Sequence, residues 1–167
     1  SDVYKRQVMI CSYSLCQGLF LGGVTWAYEQ YFPGIGILAV VLTLGILGAM
    51  LTIYRAGLIS WSKNLQIAVM SALTAILMIY LISFIGVFVG FEVPYIHEAS
   101  PIGILFSVFV ICIASLCLVA DFDFIERGVE RGAPKQLEWR AAFGLMVTLV
   151  WLYLEILELL AKVASRR

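Results

Sequence analysis

Six polar side chains fall where this 167-residue chain offers little else that is polar: Gln17, Asp121, Asp123, Thr148, Glu155 and Glu158. Each lies within or at the margin of a long apolar run. Carboxylates in such surroundings can do two kinds of chemistry. They exchange a proton with the medium, because a low dielectric disfavours the charged form. They also attract cations through hard oxygen atoms, which makes calcium the natural ion to consider.

The segment 116–127 reads LCLVADFDFIER, an apolar stretch that meets two carboxylates before its polar end. Asp121 and Asp123 are two residues apart, roughly 200° around a helix, so only one of them can face a bundle interior. A helix over about 101–123 puts both at its C-terminal end, where the macrodipole disfavours anions by up to about 1 kcal/mol. Arg127 lies four residues after Asp123, a spacing that allows an ion pair. The residue four beyond Asp121 is Ile125, which offers nothing of the kind. Two readings of Asp121 follow: a solvated acid at the cytoplasmic face, or a buried acid that lines a pathway and gates it by changing protonation with pH.

Gly144, Thr148, Trp151, Glu155 and Glu158 are spaced by four, three, four and three, which puts them on one helix face. Glu158 reaches Lys162 one turn later as a plain surface ion pair, while Glu155 lies two turns after Thr148 and can look inward. Both acids should face protein or water, since lipid exposure is costly. Acidic faces at 121 and 155 are expected to meet around a hydrated path, with Gln17, near the middle of the first apolar run, and Glu158 as further lining.

The elements that must hold these groups follow from composition. The chain is 62% hydrophobic and 13% charged, with a mean hydropathy of +0.99; a soluble domain is about half apolar and a quarter charged. The stretches 7–28, 30–54, 64–91 and 99–120 contain no charged residue. A hydrocarbon core roughly 30 Å thick needs about 20 helical residues, so each run can span it. The run 141–154 is short for a span unless Glu155 is sheltered. Continuous rather than alternating apolar runs exclude a barrel. The expectation is an all-α membrane protein, a polytopic bundle of five membrane helices at about 8–28, 35–54, 65–91, 101–123 and 140–162, forming one integral domain over 8–167. Residues 1–7, SDVYKRQ, lack an initiator Met and read as a leader foreign to that domain. No cleavable signal pattern follows.

Gly18, Gly22 and Gly23 in the first helix and Gly36, Gly45 and Gly48 in the second predict close helix packing. Pro33-Gly34 marks the first turn. Loop 55–63 carries Arg55 and Lys63, and 121–140 carries Arg127, Arg131, Lys135 and Arg140, whereas 29–34 and 91–98 carry no Lys or Arg. The positive-inside rule therefore puts the two basic loops in the cytoplasm. By that rule a fifth span would carry Lys162, Arg166 and Arg167 to the wrong side, so 141–160 either crosses against the rule or enters without crossing.

Cys11, Cys16, Cys112 and Cys117 fall inside apolar runs and read as small core residues rather than disulfide partners or zinc ligands. His97-Glu98 lacks a second His four residues away and reads as a solvated loop pair. Eleven acids balance eleven Lys and Arg, which leaves no charge argument for nucleic acid. No G-x-S-x-G occurs and Asp121 has no second aspartate on another span, so enzyme chemistry, a metal centre and a cofactor are not expected.

With those residues in view, VADFDFIERGVERGAP followed by EWRAAFGLMVTLVWLYLEILELLAK resembles the bacterial branch of the Bax inhibitor-1, or transmembrane Bax inhibitor motif, family. QGLFLGGVTWAYEQYFPGI and YRAGLI extend the resemblance across about 11–167. It implies a seven-helix fold, of which these are the last five helices of a fragment, in a bacterial inner membrane. It also implies a pH-sensitive calcium leak channel, controlled by an aspartate pair on the last two helices. Asp121 matches the first of that pair. The second falls, without gaps, at Thr148, which cannot share a titratable proton, so Glu155 or Asp123 would have to substitute. A non-transporting bundle that binds and modulates a membrane protease is the alternative the resemblance leaves open.

Overall fold

Uncharged runs rich in Leu, Ile, Ala and Val, without proline in their interiors, have only one way to satisfy their backbone in lipid, and the described residues take it. These residues are 2–92 and 98–166 of a computed structural model. They form α1 (Asp2–Tyr31), α2 (Ile35–Arg55), α3 (Lys63–Val89), α4 (Pro101–Glu130) and α5 (Gln136–Ser165). All five are long and apolar enough to cross a membrane. Residues 2–7 are the first turns of α1.

Local chemistry sets the ends. Ser62 and Ser100 cap α3 and α4, their hydroxyls accepting from the N–H groups of Leu65 at 3.3 Å and Gly103 at 3.1 Å. Pro101 occupies the first turn of α4, where its missing N–H costs nothing. Gly90, at φ 77°, closes α3 at Val89 rather than at the expected 91.

The end of α4 is a larger correction. The helix runs on to Glu130, seven residues beyond the expected 123, and stops only before the turn in which Gly132 adopts φ 60°. An apolar run ends where the hydrocarbon ends, but a helix can continue into water while its side chains pair along the surface. Arg127 Nε lies 2.9 Å from Asp123 Oδ2, as the four-residue spacing predicts. Asp121 is therefore well inside the helix, and the macrodipole penalty of a last turn does not apply to it.

α4 and α5 form an antiparallel hairpin that is the centre of the bundle; α2 packs on both, α1 on α5 and α2, and α3 chiefly on α4. The main core gathers Ala114, Leu118 and Phe122 from α4 with Leu152, Ile156 and Leu157 from α5 and Ala39 from α2. A second, smaller core joins Val69 and Ile76 of α3 to Val110 and Ile113 of α4. α5 returns along the whole of α4, from Gly144 beside Asp121 to Lys162 beside Gly103. It is long and apolar enough to cross a membrane.

Two packing expectations are not met. A Cβ at Gly18, Gly22, Gly23, Gly45 or Gly48 would have nothing within 4 Å; of these six predicted packing glycines Gly36 alone is crowded, by Thr25 and Glu29 of α1. Cys11, Cys16 and Cys112 are exposed and Cys117 is half-buried, so three of the four thiols face outward. In both cases the chain is apolar on all sides, and residue type alone does not tell a lipid-facing position from a helix-facing one.

Candidate functional site

α4 presents Asp121 to the same face of α5 on which Gly144 and Thr148 are one turn apart. Where Gly144 lacks a side chain, the Asp121 carboxylate fits: a Cβ there would stand 3.6 Å from Oδ1. The Thr148 hydroxyl lies beside that carboxylate and donates to the Gly144 carbonyl oxygen at 3.0 Å. Asp121 Oδ2 is buried without a hydrogen-bond partner, alone in this among the buried side-chain oxygens and nitrogens of the described residues. A buried acceptor left unmatched is costly, and such groups mark places where a proton or an ion is handled.

The other predicted site residues lie apart from this pair. Glu155 is not beside Asp121. It is 6% exposed, accepts from the Tyr80 hydroxyl of α3 at 2.5 Å and from Trp151 Nε1 at 3.3 Å, and sits about 10 Å further along α5. Asp123 turns the other way, to Arg127, and with Trp61, Gln66 and Arg131 lines a cavity of about 580 Å³ at the basic end of the hairpin. Gln17 is half-buried on the α1 stripe that faces α5, between Ser14, whose hydroxyl is 3.1 Å from Met146 Sδ, and Thr25, whose hydroxyl is 2.7 Å from that of Tyr153. Glu98 is exposed, and His97 lies outside the described residues.

The pair Glu158–Lys162 departs most from expectation. Their atoms are 3.2 Å apart, but Lys162 is only 5% exposed rather than on the surface. Its Nζ donates to Ser107 Oγ at 2.8 Å and to the Gly103 carbonyl at 3.3 Å, both on α4. The hairpin thus holds two polar centres. One is Asp121 with Thr148; the other, toward the opposite end, comprises Glu155, Glu158, Lys162, Tyr80 and Ser107. Leu118 and Leu152, both fully buried, close the space between them.

Tyr80 and Ser107 do not stand out in the sequence, where Lys162 reads only as the surface partner of Glu158. Tyr80 carries a usable signal, because tyrosines collect at span ends and one in mid-span needs a partner for its hydroxyl. Lys162 carries none: four residues after a glutamate, it has the spacing of any surface pair.

A family model described as Bax inhibitor 1 like matches residues 3–165. No curated protein and no solved structure matches the chain.

Proposed function

Because the chain belongs to the Bax inhibitor 1 like family, we propose that it is a pH-sensitive cation leak pathway, with calcium as a permeant ion, and that Asp121 is its proton-sensing gate. One observation carries the reading: a buried carboxylate with an unpartnered oxygen faces a hydroxyl across the central helix pair. The Thr148 hydroxyl has a single proton. With Asp121 neutral, the acid can donate to Thr148 Oγ while Thr148 donates to Gly144, and the contact is self-contained. With Asp121 ionised, Thr148 is the one side chain at hand to donate to it, its bond to Gly144 is given up, and the remaining negative charge draws water or a cation into the interface. Protonation selects between two arrangements of the α4–α5 contact.

Leu118 and Leu152 close the route in the arrangement described, so passage requires these helices to shift. By the positive-inside rule, the Asp121 end of the hairpin, with Arg127, Arg131, Lys135 and Arg140, faces the cytoplasm, and in a bacterium this membrane is the inner one. Calcium flux into liposomes holding the protein tests the reading. Asp121→Asn keeps the shape and fixes the neutral arrangement, so the leak loses its dependence on pH. Unchanged flux with an unchanged pH response overturns it.

Modulation of a membrane protease is the second reading, favoured by the open faces at Gly22 and Gly45, where another helix could approach closely. Co-purification with a protease that survives Asp121→Asn and fails on Gly22→Leu or Gly45→Leu selects it.

A further inference from the structure

A lysine inside a membrane bundle must be surrounded by oxygen, and Lys162 is. Gly103 O, Ser107 Oγ and Glu158 Oε1 lie 3.3, 2.8 and 3.2 Å from its ammonium nitrogen. These are a backbone carbonyl, a hydroxyl and a carboxylate, enough to satisfy the three N–H groups of an ammonium. They are also the donor types that hold hard metal cations. Ser107 is 1% exposed, so the cage is built into the α4–α5 contact rather than laid on its surface. Glu155, one turn before Glu158, faces the same region, where Tyr80 and Trp151 hold it.

We propose that Lys162 is a tethered cation seated in an oxygen-lined cation site of the α4–α5 hairpin, and that it shuts the end of the bundle opposite Asp121 to free cations. The plug role rests on the leak reading above; the cation site does not. From Thr148 to Lys162 is fourteen residues, roughly 21 Å along α5, so the two ends are separate barriers. A fixed positive charge repels an approaching cation, calcium twice as strongly as sodium, and its covalent stem keeps it from leaving. Neutralising it vacates a cage that still holds a carboxylate.

Lys162→Met keeps the unbranched stem of the side chain and removes its ammonium group. Purified in detergent, this variant should gain about 2–4 °C or more in unfolding temperature on titration with calcium chloride or sodium chloride, while the wild type and Lys162→Arg do not respond. In liposomes its cation flux should rise on the order of tenfold, because a charge is no longer in the way. The double variant Glu158→Gln/Lys162→Met removes both charges and should fold and bind no cation. If Lys162→Met folds only when a cation is supplied, the site is upheld. If it stays unfolded at every cation concentration while the double variant folds, or folds without any cation response, the site is refuted. Cation binding to Lys162→Met with unchanged flux overturns the plug and retains the site. Loss of the pH response in Asp121→Asn together with no effect of Lys162→Met rejects this proposal and leaves the leak reading standing.

Discussion

Thr148 stands between two oxygens with one proton to give: its hydroxyl donates to the Gly144 carbonyl at 3.0 Å and lies beside the Asp121 carboxylate on the facing helix. A threonine can pass on a hydrogen bond but cannot store a proton. The pair therefore has one titrating member, and the response to pH should have the shape of a single ionisation.

Replacing Thr148 by aspartate converts the pair into two carboxylates at one contact. Like charges in a dry site do not both ionise readily, so Thr148→Asp should divide the single transition into two macroscopic steps spread over a wider pH range. Calcium flux measured as a function of pH distinguishes one step from two; an unaltered single step would mean that position 148 does not face Asp121.

Tyr80 is the polar link from α3, which packs chiefly on α4, to Glu155 of α5. Tyr80→Phe preserves the ring contact with Phe106 and removes only the donor. A buried carboxylate that loses a donor costs about 1–3 kcal/mol. Unfolding in detergent should show that loss, and Tyr80→Phe/Glu155→Gln should recover part of it.

Leu152 is fully buried between the two polar centres. Leu152→Ala should cost about 2–5 kcal/mol by opening a cavity there. If the apolar layer is the barrier in the closed arrangement, basal flux rises in the same variant; lost stability with unchanged flux would place the barrier elsewhere.

Gly36 is the crowded glycine of the α1–α2 contact. A methyl group there would stand 2.6 Å from Thr25 Cγ2 and 2.9 Å from Glu29 Oε1, whose carboxylate already accepts from the N–H groups of Gly34 and Gly36. Gly36→Ala should destabilise by about 1–3 kcal/mol. Gly22→Ala and Gly45→Ala meet nothing within 4 Å and should be neutral or stabilising by up to about 1 kcal/mol, since glycine is a poor helix former. Thermal unfolding of the three variants checks the order.

The sequence alone determined what is local or summed along the chain. Uncharged runs of membrane length specify five helices and their approximate limits, and spacing along one helix specifies the Asp123–Arg127 pair. It also singled out Asp121 as the acid without a partner in its own helix, and the resemblance pointed to Thr148 opposite. Contacts between helices needed the tertiary structure: Glu155 meets Tyr80 from 75 residues away, and Lys162 turns inward to Ser107 from 55 away. In a soluble helix the polar side marks the outside, but lipid is as apolar as a core. A helix that is hydrophobic all round carries no mark of which face is buried. Only the rotation and register of the helices against one another decide that Asp121 faces Thr148, that Lys162 is enclosed, and that glycines of α1 and α2 which look made for packing stand open.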